Sequence, residues 1–148
     1  MVTIRPAELS DQQAIHKLIR QVRINPTGLD WERFLVAIDE GGEVIGCGQI
    51  KSHADGSKEL ASIAVKTGYR HRGIASALIM QLMEGSNGDL YLMCRSSLGP
   101  FYERFGFQSV EGDELPPYFK KMKRLARLLK NLSEKGETLL VMKIFNEQ

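Results

Sequence analysis

Residues 59–79, ELASIAVKTGYRHRGIASALI, change character twice along their length. ELASIAV has the apolar and small residues of a strand, and from Gly73 onward Ile74, Ala75, Leu78, Ile79 and Leu82 recur at helical spacing. Between them Arg70, His71 and Arg72 stand directly before Gly73. Neighbouring cations repel one another, so folding alone gives no reason to cluster them, whereas a ligand bearing several negative charges does. A helix start points unpaired backbone N–H groups outward and carries partial positive charge, which suits phosphate. Gly73 lets an anion approach the backbone, Ala75 keeps the next turn small, and Arg70 and Arg72 add charge-assisted hydrogen bonds. The segment reads as a diphosphate cradle between strand and helix. The competing reading is a solvated basic turn whose glycine relieves backbone strain. A G-x-x-x-x-G-K-S/T loop is absent, and G-x-G-x-x-G does not occur at this turn, which excludes the two common nucleotide fingerprints.

Working outward, FLVAID and EVIGCGQIKS are strands flanking EGG, a hairpin signal at Gly41 and Gly42, and HADGSK is a turn through Asp55 and Gly56. Gly46 and Gly48 lie inside a strand, where close packing explains them better than phosphate binding. VTIRPA reads as a short edge strand. Ser10 with Gln13 fits a capping box ahead of Ile15, Leu18, Ile19 and Val22, so residues 11 to about 23 form an amphipathic helix. NPTGLD breaks it, and Trp31 to Arg33 form a short helical turn. Downstream, DLYLMC is a continuous apolar strand, buried on both faces and parallel to a neighbour. LGPFYERFGF is a short helix with Pro100 in its first turn and Gly106 at its left-handed end, followed by the strand FQSV. An irregular acidic stretch, EGDELPPYF, leads to a basic helix over residues 119–132 and a last strand, TLLVMKIF. Strands and helices alternate, so the expected class is α/β or α+β with a mixed sheet.

The chain of 148 residues suits one domain, 1–148, able to bury about 68–70% of its unfolded surface without disulfides or a structural metal. A net charge of +2 does not point to nucleic acid, so any basic patch is local. Cys47 and Cys94 lie in apolar runs and read as buried thiols of a reducing compartment. His16, His53 and His71 are scattered, no metal-ligand spacing occurs, and no metal is expected. The charged N-terminus lacks a secretory pattern, and no apolar run reaches the ~18 residues of a membrane span. The expectation is a cytoplasmic protein with no membrane partner and with nucleic acid disfavoured.

The segment 59–79 resembles the acyl-CoA motif of the GNAT superfamily of N-acetyltransferases, R/Q-x-x-G-x-G/A after a strand, here Arg70, Gly73 and Ala75. FYERFGF is similar to the family's aromatic helix and turn, LLVMKI to its last strand, and IRPAELSDQQAIHKLI to its opening strand and helix. The resemblance spans nearly the whole chain in the family's order and implies a GNAT fold, a mixed central sheet flanked by helices, with an extra basic helix before the last strand. It further implies acetyl-CoA as co-substrate. By position, Ile63, Ala64 and Val65 offer main-chain groups to the pantetheine arm, while Arg70, His71, Arg72, Gly73, Ile74 and Ala75 surround the pyrophosphate.

The implied reaction moves an acetyl group from acetyl-CoA to a primary amine by direct attack in a ternary complex. An alkyl amine with a pKa of about 10.4 is mostly protonated near neutrality and needs a base. Glu59 matches the family's carboxylate position, against a plain reading as an exposed strand-edge residue. The Val65 N–H is the positional donor to the oxyanion, and Tyr102 matches the tyrosine that protonates the leaving thiolate. Phe101, Phe105 and Phe107 read as packing. Two departures stand out. CRSSLGP replaces the usual CoA-contacting Asn, with Ser97 as a substitute hydrogen-bonding group or a helix cap. An insertion replaces the short loop before the last strand; in it Met122, Leu125, Leu129 and Leu132 form an apolar stripe among Lys120, Lys121, Lys123, Arg124, Arg127 and Lys130. That helix reads as docked by its stripe or as a recruiting surface, while Asp113, Glu114, Tyr118 and Phe119 are candidates for an amine pocket. The acceptor is an amine-bearing molecule of open identity, and a homodimer is compatible with the pattern. The alternative function is a non-catalytic acyl-CoA-binding regulatory module that recruits a protein or nucleic acid through the basic helix.

Overall fold

The computed structural model describes residues 1–129 and 136–146. Its elements, in chain order, are β1 (Thr3–Pro6), α1 (Gln12–Val22), β2 (Phe34–Ile38), β3 (Val44–Ser52), β4 (Lys58–Val65), α2 (Ile74–Glu84), β5 (Gly88–Arg95), α3 (Gly99–Glu103), β6 (Gln108–Ser109), α4 (Pro117–Leu129) and β7 (Leu139–Asn146). The strands are hydrogen-bonded in the order β1-β2-β3-β4-β5-β7-β6, a seven-stranded mixed sheet in which β4 and β5 run parallel. The expected class, the edge position of VTIRPA and the parallel setting of DLYLMC are all observed. Contacts divide the chain into two compact units, residues 1–51 with 60–86, and residues 52–59 with those from 87 onward.

In the first unit, period-two alternation along β2 assigns one helix to each face. Phe34 and Val36 pack with Ile15, Leu18 and Ile19 of α1, whereas Ala37 packs with Ile74 and Leu78 of α2. A register shift between Ala37 and Ile38 places Ile45 in the α2 cluster beside Gly46. Gly46 and Gly48 both lie beneath α2. A Cβ on Gly46 would stand 3.1 Å from Ile74 Cγ2 and 3.2 Å from Leu78 Cδ1, and one on Gly48 would stand 3.0 Å from Leu82 Cδ1. The G-x-G pattern is therefore a packing groove for α2, which brings the helix close to the sheet.

The start of α1 differs from the sequence expectation. Ser10 lies in a 3-10 turn, Leu9–Asp11, and the Asp11 carboxylate instead accepts the Glu8 N–H at 2.8 Å. Arg5 donates to both Asp11 oxygens, at 2.7 and 3.2 Å, and holds this nearly buried carboxyl below its ordinary pKa. The capping box therefore belongs to this 3-10 turn, between Glu8 and Asp11, and no side chain caps α1 itself.

In the second unit β5, β7 and β6 are antiparallel, with Tyr91 opposite Lys143 and Gln108 opposite the same residue from the other side. Tyr91, Val110, Leu115, Phe119 and Val141 form its core. Gly106 has a φ of 102° and passes so close to Ile144 that a Cβ would lie 2.8 Å from its Cδ1, which explains a glycine after α3. The basic helix runs from Pro117 to Leu129, and its docking differs from the expected stripe. Leu125 and Leu129 are 41% and 67% exposed, Met122 is half-buried, and Leu132 and Lys130 lie outside the described residues. Phe119 is the buried residue of this helix, stacked at 5.1 Å on Tyr91. Its first turn carries the main anchor, Phe119, with Met122 and Ala126 half-buried behind it.

Candidate functional site

The basic-glycine turn lies in the first unit, between the end of β4 and the start of α2. His71 has φ 64° and Gly73 φ 80°, so the chain enters α2 through left-handed backbone, which a glycine adopts without penalty. Nothing lies within 4 Å of where a Gly73 Cβ would stand, and Gly73 offers no side-chain acceptor to the helix-start N–H groups. Ile74 is buried under β3 while Arg70, His71, Arg72 and Gly73 are exposed. One residue thus pins the helix and its neighbours face outward.

The turn is braced on the hairpin before it. Tyr69 Oη donates to Asp39 Oδ2 at 2.9 Å, and Asp39 Oδ1 accepts the N–H groups of Gly41 and Glu43. These donors, the Glu43 N–H first, hold Asp39 below its ordinary pKa, and the shared hydrogen bond raises that of Tyr69. The Arg72 guanidinium lies 5.2 Å from the Tyr69 ring centre, and Arg70 Nε reaches the Val65 carbonyl at 3.4 Å. Both arginines rest on the turn that carries them, with further N–H groups left to donate.

Upstream of Val65, Ala64 is buried and Ile63 half-buried. Ser62 has φ 61° in mid-strand, a strained conformation for a residue other than glycine. Its Oγ accepts from the fully buried Gln49 at 2.8 Å, and that amide also donates to the Gly28 carbonyl and accepts from Arg33 Nε. This locked conformation has no signal in the sequence, since a serine there carries no mark of positive φ.

The second unit holds the two residues expected to handle protons. Glu59 is buried rather than exposed at a strand edge, and it stands opposite Tyr91 in the parallel register. His53 Nε2 lies 2.8 Å from Glu59 Oε1. The His53 ring stacks on Tyr118 at 3.6 Å with 14° between planes, and Phe119 meets it edge-on at 5.8 Å. Of the insertion residues expected near an amine pocket, Tyr118 is therefore spent on His53 and Phe119 on the core, while Asp113 and Glu114 are exposed.

Tyr102 sits half-buried on α3 among Phe101, at 5.0 Å, and the buried Phe107, at 6.3 Å. Burial, with a smaller contribution from Cys94, pushes its phenol up to about 12. Ser97 is exposed in a 3-10 turn, its N–H donating to Glu137 Oε1 at 3.0 Å. Its side chain does not cap α3, whose N-cap is Leu98. Cys47 and Cys94 are free and buried, as expected, and burial raises their thiols to about 12 and about 11. Among the described residues no cluster of three or more His, Cys, Asp or Glu is arranged to hold a metal. Nor is any helix among them long and apolar enough to cross a membrane.

The family of the acetyltransferase (GNAT) domain matches residues 30–109, more than half of the chain, including β4, the cradle turn and α3. The chain belongs to the GNAT acetyltransferases. This GNAT domain also aligns with solved structures. N-acetylglutamate synthase from Neisseria gonorrhoeae, complexed with coenzyme A and N-acetyl-glutamate, superposes with a TM-score of 0.78 at 20% identity; the match covers 100% of this chain but only 36% of the synthase. A Mycobacterium tuberculosis protein in complex with coenzyme A gives 0.68 at 23% identity, covering 94% of this chain and 97% of that one. An Escherichia coli ribosomal-protein alanine N-acetyltransferase gives 0.68 at 18%, covering 100% and 96%. At these identities the likeness establishes the GNAT fold. No curated protein matches the chain's sequence.

Proposed function

We propose that the chain works as one N-acetyltransferase domain that moves an acetyl group from acetyl-CoA to a primary amine by direct attack. The observation that carries this reading is the cradle. An exposed Arg70-His71-Arg72 run enters a helix start through left-handed backbone, with open space before Gly73. In this reading the N–H groups of Gly73, Ile74 and Ala75 and the two guanidiniums hold the pyrophosphate, and the main chain of Ile63, Ala64 and Val65 holds the pantetheine arm. Ser97 is the polar group at the position of the family's asparagine.

The residues then divide the proton work. Glu59 takes a proton from the ammonium form of the acceptor, directly or through a water, so that the amine nitrogen attacks the thioester carbon. The Val65 N–H donates to the carbonyl oxygen as its charge develops. As the carbon–sulfur bond breaks, Tyr102 gives its proton to the departing thiolate and is reprotonated by the proton that the nitrogen of the tetrahedral intermediate sheds on becoming the amide, while Glu59 releases to solvent the proton it took. A phenol raised to about 12 supports that role, because it stays protonated through the neutral range. Coenzyme A in the complexes of the Neisseria and Mycobacterium proteins supports the co-substrate. The named reactions of the Neisseria and Escherichia enzymes nominate amino acids and protein N-terminal amines as the first acceptors to screen.

The test is calorimetric titration with acetyl-CoA and with CoA. Wild type should bind in the micromolar range, and Arg70→Ala/Arg72→Ala should lose on the order of 3 kcal/mol, about 100-fold, for two charge-assisted hydrogen bonds. No binding to folded wild type would end the proposal.

A further inference from the structure

We propose that His53 is a positioning residue for proton removal, holding the Glu59 carboxylate ionised and fixed in direction, with the first turn of α4 as the wall that keeps His53 in place. The inference rests on Glu59 being the base.

The argument starts from burial. The Glu59 side chain is 6% exposed and that of His53 12%, so neither is supported by bulk water. A carboxylate stripped of water is driven toward its neutral acid, and a neutral acid cannot take a proton from an ammonium group. A hydrogen-bond donor reverses that drift. In this proposal the His53 tautomer that carries its proton on Nε2, 2.8 Å from Oε1, is that donor.

The second observation is how His53 is held. Tyr118 lies flat against the imidazole at 3.6 Å, Phe119 closes its edge at 5.8 Å, and Phe119 is itself locked on Tyr91. The turn bearing His53 and the start of α4 share one clamp. Asp55 Oδ2 accepts the Tyr118 N–H at 2.9 Å, while Asp55 Oδ1 accepts from the Ser57 N–H and hydroxyl at 2.9 and 2.6 Å. The inserted helix thus fixes the ring on one face and at an edge-on aromatic contact. Among the described residues, the charged and titratable groups near the pair include Asp55 from the turn, Tyr118 from α4 and Tyr91 from β5, with the Lys143 ammonium of β7 5.6 Å from the Tyr91 ring.

The alternative is a buried pair that only packs, and such pairs are weak evidence of stabilisation. Two variants separate the readings: His53→Gln, which keeps a donor, and His53→Leu, which removes it. Their full-length forms are compared with wild type and Glu59→Gln by infrared difference spectroscopy of the carboxyl bands and by rate profiles against pH. We expect wild type and His53→Gln to show Glu59 ionised at neutral pH, and His53→Leu to show it protonated. In His53→Leu kcat falls at least about tenfold, the acid limb of the profile moves to higher pH, and KM for acetyl-CoA is unchanged. Tyr118→Leu, which loosens the ring without deleting it, gives a smaller change of the same sign and serves if His53→Leu does not fold. An ionised Glu59 and an unmoved limb in His53→Leu or Tyr118→Leu overturn the inference, as does equal loss in His53→Leu and His53→Gln with no movement of the limb. Wild-type turnover in Glu59→Gln would sink the base assignment instead, and the infrared comparison would still decide whether His53 governs the carboxylate.

Discussion

A methyl group added at Gly46 tests whether the sheet sets the height of the cradle helix. In Gly46→Ala the new carbon would stand 3.1 Å from Ile74 Cγ2, 3.2 Å from Leu78 Cδ1 and 3.3 Å from Ala37 Cβ. All three neighbours are buried, so each contact must open by a few tenths of an ångström without a side chain swinging into solvent. Overpacking of this kind costs about 1–3 kcal/mol, offset by about 0.5–1 kcal/mol from replacing a mid-strand glycine. The net loss is about 1–2 kcal/mol, or a Tm lower by roughly 2–8 °C for a domain of this size. Ile74 is the first residue of α2, so relief comes from lifting the end that carries the cradle N–H groups, and CoA affinity should drop several-fold. Scanning calorimetry and CoA titration of the variant against wild type are sufficient. Gly46→Ala with wild-type Tm and affinity would refute the coupling.

Three further outcomes follow from groups whose protonation the fold controls. Tyr102→Phe should lower kcat about 100-fold with CoA affinity retained, and because the wild-type phenol titrates near 12, the wild-type rate should show no alkaline fall from this group between pH 7 and 9. Asp11 has a folded pKa below its unfolded one, so its contribution is complete above the unfolded value and is lost as pH falls through the folded value. Asp11→Asn should therefore cost about 1–3 kcal/mol at pH 7 and progressively less as pH falls below the unfolded value, read by urea titration along that range. The Cys47 thiol, buried and raised to about 12, should resist alkylation in the native protein at pH 8 and react on unfolding, as mass spectrometry would show.

The parts of the molecule visible in the sequence were those whose signal is local. Arg70 to Ala75 are contiguous, so strand, cations, glycine and helix can be read in one window. Period-two and helical spacing place β2, α1 and α2 because each buries one face. The bracing of Glu59 was not visible, since His53 and Tyr118 are far apart along the chain and neither lies in a motif; only the turn at Asp55 folding against the start of α4 brings them together. The strained Ser62 was hidden because its support, Gln49, comes from another strand. At α1 the pattern at Ser10 was sound as local chemistry, but Arg5 from β1 favours Asp11. For α4 the leucine spacing suggested a docking stripe, while the contact that matters is one aromatic paired with Tyr91 on β5.

The one-sided anchorage of α4 divides the helix into a held end and an exposed end. Asp55 and Phe119 fasten its first turn, whereas Leu125, Leu128 and Leu129 further along are exposed. Substitutions from Leu125 onward can alter surface charge or solubility while the turn against His53 keeps its footing. An engineer seeking a place to graft a tether or a reporter would begin there.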